Sequence, residues 1–207
     1  MSDSVAYCAS TRWSRCPLPP ESGSVCTYHE WVVLRCTVKT QKLLDARPKD
    51  LATVEPSEQD WYTNLLWLDG RKCLLLADAG TLFSVFVPDI HKADLVPIGP
   101  SVVGLIHKEL EAEGLPLERF GVLDSPYVTL AKTENRTVLG YMNEMARFCE
   151  YAVDDAGGLA RCDTQELNRA LRRELHLSRR PPGYFVPIEL VAGPAVPRGR
   201  PTLGVVD

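Results

Sequence analysis

The side chains of this chain that could do chemistry are mainly cations and amides, placed next to segments predicted as strands and helices. Arginine can hold two oxygen atoms of a phosphate or carboxylate with one guanidinium, and an amide can orient a bound group. We therefore predict an anion- or partner-binding site. Its candidate residues are Arg35, Asn64, Arg71, Lys72, Lys132, Arg136 and Asn143. The alternative is that these are solvated groups on turns and at a helix end.

Arg136 gives the most direct argument for that site. The sequence predicts a helix capped by Thr133 or Asn135, which places Arg136 in its first turn. A cation near a helix N-terminus opposes the helix dipole, so its presence indicates a role beyond local stability. Binding an anion or a carboxylate partner is one such role. The prediction requires the cationic candidates to line one concave surface.

The patterns of common metal, nucleotide and hydrolase sites do not occur in this sequence. Zinc sites usually place two ligands about two to four residues apart, and the chain has no CxxC, HxxxH or HExxH. Its 14 glycines are scattered, which does not fit a phosphate-binding loop between a strand and a helix. There is no GxSxG, and the four histidines suggest no nucleophile–base pair by spacing. We predict no metal and no cofactor, and we favour a protein that is not an enzyme.

A second cationic cluster lies in residues 161–180, which hold six arginines and three acidic residues. Leu167, Leu171 and Leu175 recur there at helical spacing, with arginines on the opposite side. A basic amphipathic helix can contact nucleic acid or an acidic protein. We favour the simpler interpretation of a surface helix with a solvated outer face.

Length and composition fit one globular domain. The chain has 207 residues, of which 45% are hydrophobic and 24% charged, and its formal net charge of −4 gives no overall attraction to nucleic acid or to an anionic membrane. No apolar run of about 18 residues and no secretory signal pattern occurs, so we expect a cytoplasmic protein with no membrane segment. The seven cysteines are an odd number, which fits reduced thiols better than a disulfide framework.

The elements that must position the candidates begin with a meander. Residues 61–68 and 72–77 are predicted as strands joined at Asp69-Gly70, because Asp-Gly readily adopts the positive φ of a two-residue hairpin. A third strand over residues 81–87 ends at Pro88. We predict an α+β fold, with an antiparallel sheet built around this three-stranded meander and about three packed helices.

The rest of the chain is predicted from apolar periodicity. The other predicted elements are a strand over 31–38, a short helix over 39–46, helices starting near residues 100, 135 and 164, and short strands over 127–131 and 184–191. Residues 31–191 therefore form a single predicted α+β domain. Residues 1–30 are predicted as a disordered or wrongly assigned N-terminal extension, because a strand-like run begins abruptly at Trp31. Residues 192–207 are predicted as a disordered Pro/Gly/Arg tail.

Several short matches in a fixed order resemble one family. They are Arg35-Cys36-Thr37, Lys39, Leu43-Leu44, Trp61-x-x-Asn64-Leu65, Arg71-Lys72-Cys73, Lys132-Thr133-x-x-Arg136 and Met142-Asn143, with Tyr184-x-x-Pro187-x-Glu189 as a further ending. Over roughly residues 33–152 the chain resembles the bacterial family catalogued as domain of unknown function 6933. The resemblance implies a compact α+β domain, in some members near plasmid or mobile-element genes, with no established activity. Tyr62 stands where members often carry His, which puts a catalytic role in doubt.

These observations favour a non-enzymatic binding or regulatory domain, linked to a mobile element, whose partner is unknown and could be a protein or a nucleic acid. One alternative is an enzyme acting on a phosphorylated or nucleic-acid substrate, in which Arg71, Lys72 and Arg136 hold phosphate. Another is a structural subunit of a complex.

Overall fold

The fold is built on a five-stranded sheet with helices on both faces. A computed structural model describes residues 32–121, 123, 128–179 and 182–193, so the predicted extension over 1–30 and most of the predicted tail lie outside the described residues. The elements are β1 (Val32–Cys36), α1 (Val38–Leu43), β2 (Trp61–Leu68), β3 (Arg71–Asp78), β4 (Ser84–Val87), α2 (Ile98–Ala112), β5 (Val128–Lys132), α3 (Arg136–Asp155), α4 (Thr164–Arg173), β6 (His176–Arg179), β7 (Pro182–Phe185) and α5 (Pro187–Ala192).

The strand order is β4-β3-β2-β1-β5, and the sheet is mixed. Strands β2, β3 and β4 pair antiparallel, so the α+β fold and the predicted meander are confirmed. The prediction of an antiparallel sheet is wrong, because β1 pairs parallel with both β2 and β5. Parallel neighbours need a crossover connection, and α1 with the loop after it provides one between β1 and β2.

Two hydrophobic clusters cover the two faces of the sheet, because successive strand residues point to opposite sides. Trp61 and Leu65 of β2 belong to the cluster formed with α1 and α2. Tyr62 and Leu66 belong to the other cluster, formed with α3 and α4. Trp61 is buried and meets Phe120 edge-on, with ring centroids 5.1 Å apart.

Local signals placed several element ends correctly. Asp69 and Gly70 have φ values of 50° and 72°, as the predicted hairpin turn requires. Asn135 caps α3 by accepting hydrogen bonds from the amides of Thr137 and Val138. The predicted strand over 184–191 is wrong in its second half, because Pro187 begins α5, a position in the first turn that suits proline. The described residues contain five α-helices, of which the short α1 and the three longer helices were predicted and α5 was not.

Within the described part of segment 161–180, Arg172 departs from the prediction of a solvated surface helix. Arg172 is fully buried, and its guanidinium lies 2.8 Å from the carboxylates of Glu109 on α2 and of Glu113, the residue that follows α2. It also donates to the carbonyl of Ser84, at 3.2 Å. Arg172 therefore fastens α4 to α2 beside the end strand β4.

Candidate functional site

The candidate site lies at the edge of the sheet where the carboxyl ends of β1 and β5 meet, level with Thr63 in β2. After β1 the chain enters α1 on the face of the Trp61 cluster, and after β5 it enters α3 on the opposite face. Where adjacent parallel strands send their helices to opposite faces, open sheets leave a crevice that commonly binds ligands. We call this edge the strand-end site, formed by Thr37, Asn64, Lys132 and Arg136 above the buried Tyr62.

Arg35 supports this site from inside the protein. It is 1% exposed, and its Nε donates to a carboxylate oxygen of Asp60. Its two other nitrogens donate to backbone carbonyls, Nη1 to Lys132 at 2.9 Å and Nη2 to Val54 at 2.7 Å. The guanidinium is committed to these internal partners, so Arg35 positions the end of β5 and does not itself face a partner.

Lys132 and Arg136 are the two exposed cations of the strand-end site. They lie on either side of the turn that joins β5 to α3, and neither forms an ion pair with any of the described residues. The 20-residue helix α3 has no acidic residue in its first turn. Glu134, between the two cations, has its carboxylate 4.0 Å from Nη1 of the buried Arg35. Glu134 is itself 51% exposed, so the two cations and this carboxylate leave one net positive charge at the helix N-terminus.

Tyr62 places a buried hydroxyl group beneath the same turn. Its side chain is completely buried on the α3 face of the sheet, beside Arg35 in register, and its hydroxyl has no partner in hydrogen-bonding geometry within the described part of the chain. Burial raises the pKa of Tyr62, and the nearby backbone of Asn135 lowers it by a smaller amount. The hydroxyl is thus a neutral group near the helix N-terminus that can still donate or accept a hydrogen bond.

The two candidate amides lie in different places. The Oδ1 atom of Asn64 accepts a hydrogen bond from the Thr37 hydroxyl, at 3.1 Å, and so holds the turn between β1 and α1. Asn143 is exposed on α3, seven residues after Arg136, which is about 10 Å along the helix axis. Asn64 therefore belongs to the strand-end site and Asn143 lies outside it.

Arg71 and Lys72 lie away from the strand-end site. Arg71 is paired with Asp89 at 3.0 Å, and Lys72 lies over the ring of Trp67, 5.7 Å from its centroid. In β2, Thr63 is level with the end of β1, and the hairpin lies five residues further on, or about 16 Å along the strand. The candidates that sequence analysis grouped together thus occupy two separate regions.

Two further observations concern metal binding and membrane spanning by the described residues. Among them, no group of three or more His, Cys, Asp or Glu side chains is placed to hold a metal ion. No helix in this part of the chain has the length and apolar character needed to cross a membrane.

Comparison with known proteins gives one match. The model of a family described as Domain of unknown function (DUF6933) matches residues 33–190, which is more than half of the chain and includes the ending at Tyr184 to Glu189. No curated protein and no solved structure matches the chain. The family predicted from the residues is therefore confirmed.

Proposed function

The chain belongs to the family described as domain of unknown function DUF6933, and we propose that it is a non-enzymatic binding domain whose strand-end site holds a phosphate group of a partner. The family carries no assigned activity, so support for the proposal comes from the geometry of this chain. The observation on which it depends is the pair of exposed cations, Lys132 and Arg136, at the N-terminus of a long helix.

Three features of the strand-end site favour a bound anion. The N-terminus of α3 presents the positive end of a helix dipole, while the Asn135 cap accepts hydrogen bonds from the amides of Thr137 and Val138. Lys132 and Arg136 lie beside it without partners among the described residues, although cations there raise the electrostatic energy of the helix. Tyr62 adds a buried hydroxyl close to the backbone of Asn135, beneath the same turn. A phosphate would compensate the two cations and accept charge-assisted hydrogen bonds from both side chains.

The enzyme alternative gains less support from the geometry. It requires Arg71, Lys72 and Arg136 to hold one phosphate, yet Arg71 is paired with Asp89 and Lys72 lies over Trp67. The regulatory role, the bacterial origin, the cytoplasmic location and the link to mobile elements stay predictions.

The proposal is tested by fluorescence anisotropy of a labelled mixed-sequence DNA duplex, titrated with the full chain at several salt concentrations. We expect saturable binding that weakens with salt. The variant carrying Lys132→Ala and Arg136→Ala should bind more weakly, and its plot of log affinity against log salt should be shallower by about two units, because two phosphate contacts are lost.

Arg71→Ala is the matched control, because it removes an exposed arginine that is remote from the strand-end site. It should leave both the affinity and the salt dependence unchanged. Equal loss in the control and in the double variant would show a general effect of charge and contradict the proposal. If an acidic peptide bound instead of DNA, with the same dependence on Lys132 and Arg136, the site would be confirmed as a binding site, but for a carboxylate and not a phosphate.

A further inference from the structure

A cavity, separate from the strand-end site, lies between α3 and the segment that follows α4. Its volume is about 360 Å³, and its apolar lining comes from Met145, Phe148, Tyr151, Leu171 and Leu175. Tyr151 is 71% exposed and Leu175 58% exposed, so apolar surface also forms the rim of the cavity. Met145 lies nine residues after the first residue of α3, which places the cavity about 14 Å along the helix from the strand-end site.

One side of this cavity is formed by a buried histidine with an unused ring nitrogen. His176 is 3% exposed, and its ring packs edge-on against Tyr141 and beside Phe185. Its Nε2 atom is buried and has no hydrogen-bond partner among the residues that the structure describes. Burial lowers the pKa of His176, and Glu144 and Glu174 raise it by smaller amounts. The imidazole is therefore neutral at pH 7, so it adds no positive charge to this side of the cavity.

The charges around the cavity are mainly negative. Glu144 and Glu174 are exposed at its rim and form no ion pair with described residues, and Arg147 is the cation that also lines it. A positive group inside the cavity would interact with two carboxylates and with the aromatic faces of Phe148 and Tyr151, which attract cations. An anionic ligand would be repelled by the two carboxylates and attracted by Arg147 alone among these charged lining residues.

We propose that this cavity binds a small molecule made of an apolar ring and a protonated amine. The ring lies against Phe148 and Leu171, and the amine pairs with Glu144 and Glu174 at the rim. The volume lies at the lower end of the range of about 300–1,000 Å³ for small-molecule sites, so a ligand of one or two rings fits. This binding function is independent of the phosphate site proposed above.

The test uses three ligands that share an indole ring and differ in charge: tryptamine, tryptophol and indole-3-acetate. Each is titrated into the full chain by isothermal calorimetry at pH 7. Tryptamine should bind about tenfold more tightly than tryptophol, because it gains two partly exposed charge contacts. Indole-3-acetate should bind more weakly than both. Equal affinities for the three ligands, or no saturable binding of tryptamine, would overturn the proposal.

Variants then locate the ligand within the cavity. Glu144→Gln and Glu174→Gln should each weaken tryptamine binding about two- to fivefold and leave tryptophol binding unchanged. Glu150→Gln removes a carboxylate from the same helix outside the cavity lining and should change neither. Equal loss in Glu150→Gln and Glu174→Gln would refute the assignment.

Discussion

The buried pair of Arg35 and Asp60 permits a sharp prediction about stability. Asp60→Asn preserves the shape of the side chain but removes its charge, and the Asp60 carboxylate, 4% exposed, contacts the guanidinium of the fully buried Arg35. It also accepts the backbone N–H of Ser57 at 2.9 Å. Removing one partner of a buried pair leaves the other charge uncompensated, at a cost of about 3–5 kcal/mol. That is a large part of the free energy of unfolding of an ordinary domain, about 5–15 kcal/mol.

Asp89→Asn is the matched control for this change. Asp89 pairs with Arg71 at 3.0 Å, but both side chains are 48% exposed, so the same substitution should cost at most about 1 kcal/mol. Asp89 has φ of 51°, a conformation that asparagine also tolerates. Urea unfolding followed by circular dichroism gives both values, from the midpoints at an unchanged m-value. If Asp60→Asn cost no more than Asp89→Asn, the view that Arg35 holds the strand-end site through a buried ion pair would be refuted.

Three further predictions concern packing, capping and thiol reactivity. Leu171→Ala should lower the free energy of unfolding by about 2–5 kcal/mol, since Leu171 is fully buried. Leu175 is 58% exposed, so Leu175→Ala should change that free energy by no more than about 0.5 kcal/mol. Urea unfolding measures both values. Asn135→Ala should cost about 0.5–2 kcal/mol through loss of the α3 cap, and Asn135→Ser should restore most of it in thermal unfolding. Iodoacetamide at pH 8 should modify Cys36 and Cys149 only after unfolding, because burial raises the pKa of both thiols to about 12, and peptide mass mapping would detect the label.

The elements that the sequence predicts correctly are those whose stabilising interactions are local. The hairpin at Asp69-Gly70 and the cap at Asn135 depend on residues within one turn of each other, so residue type alone predicts them. The parallel pairing of β1 with β5 joins residues almost 100 positions apart, such as Leu34 and Leu130. No local pattern encodes that contact, and the antiparallel sheet was the wrong inference for this reason.

The candidate site shows the same division between local and distant effects. Residue type identified Lys132 and Arg136 as cations near a helix start. It could not show that β2 continues five residues beyond the end of β1, which places Arg71 far from them. Arg35 carried a signal that could have been used. A single arginine within the apolar run Val32-Val33-Leu34-Arg35-Cys36 indicates a buried cation, and such a group requires a partner.

The charges at the two ends of α3 bear on the proposed phosphate site. The helix has no acidic residue in its first turn and no basic residue in its last, and it begins with Arg136 and ends with Asp154 and Asp155. Both ends therefore oppose the helix dipole, where the reverse arrangement would stabilise each end by about 0.3–1 kcal/mol. Packing compensates this in the fold, since Met142 and Cys149 are buried against the sheet, but packing does not explain why the charges are reversed. An anionic partner at the first turn gives Arg136 a reason that the folded chain alone does not supply.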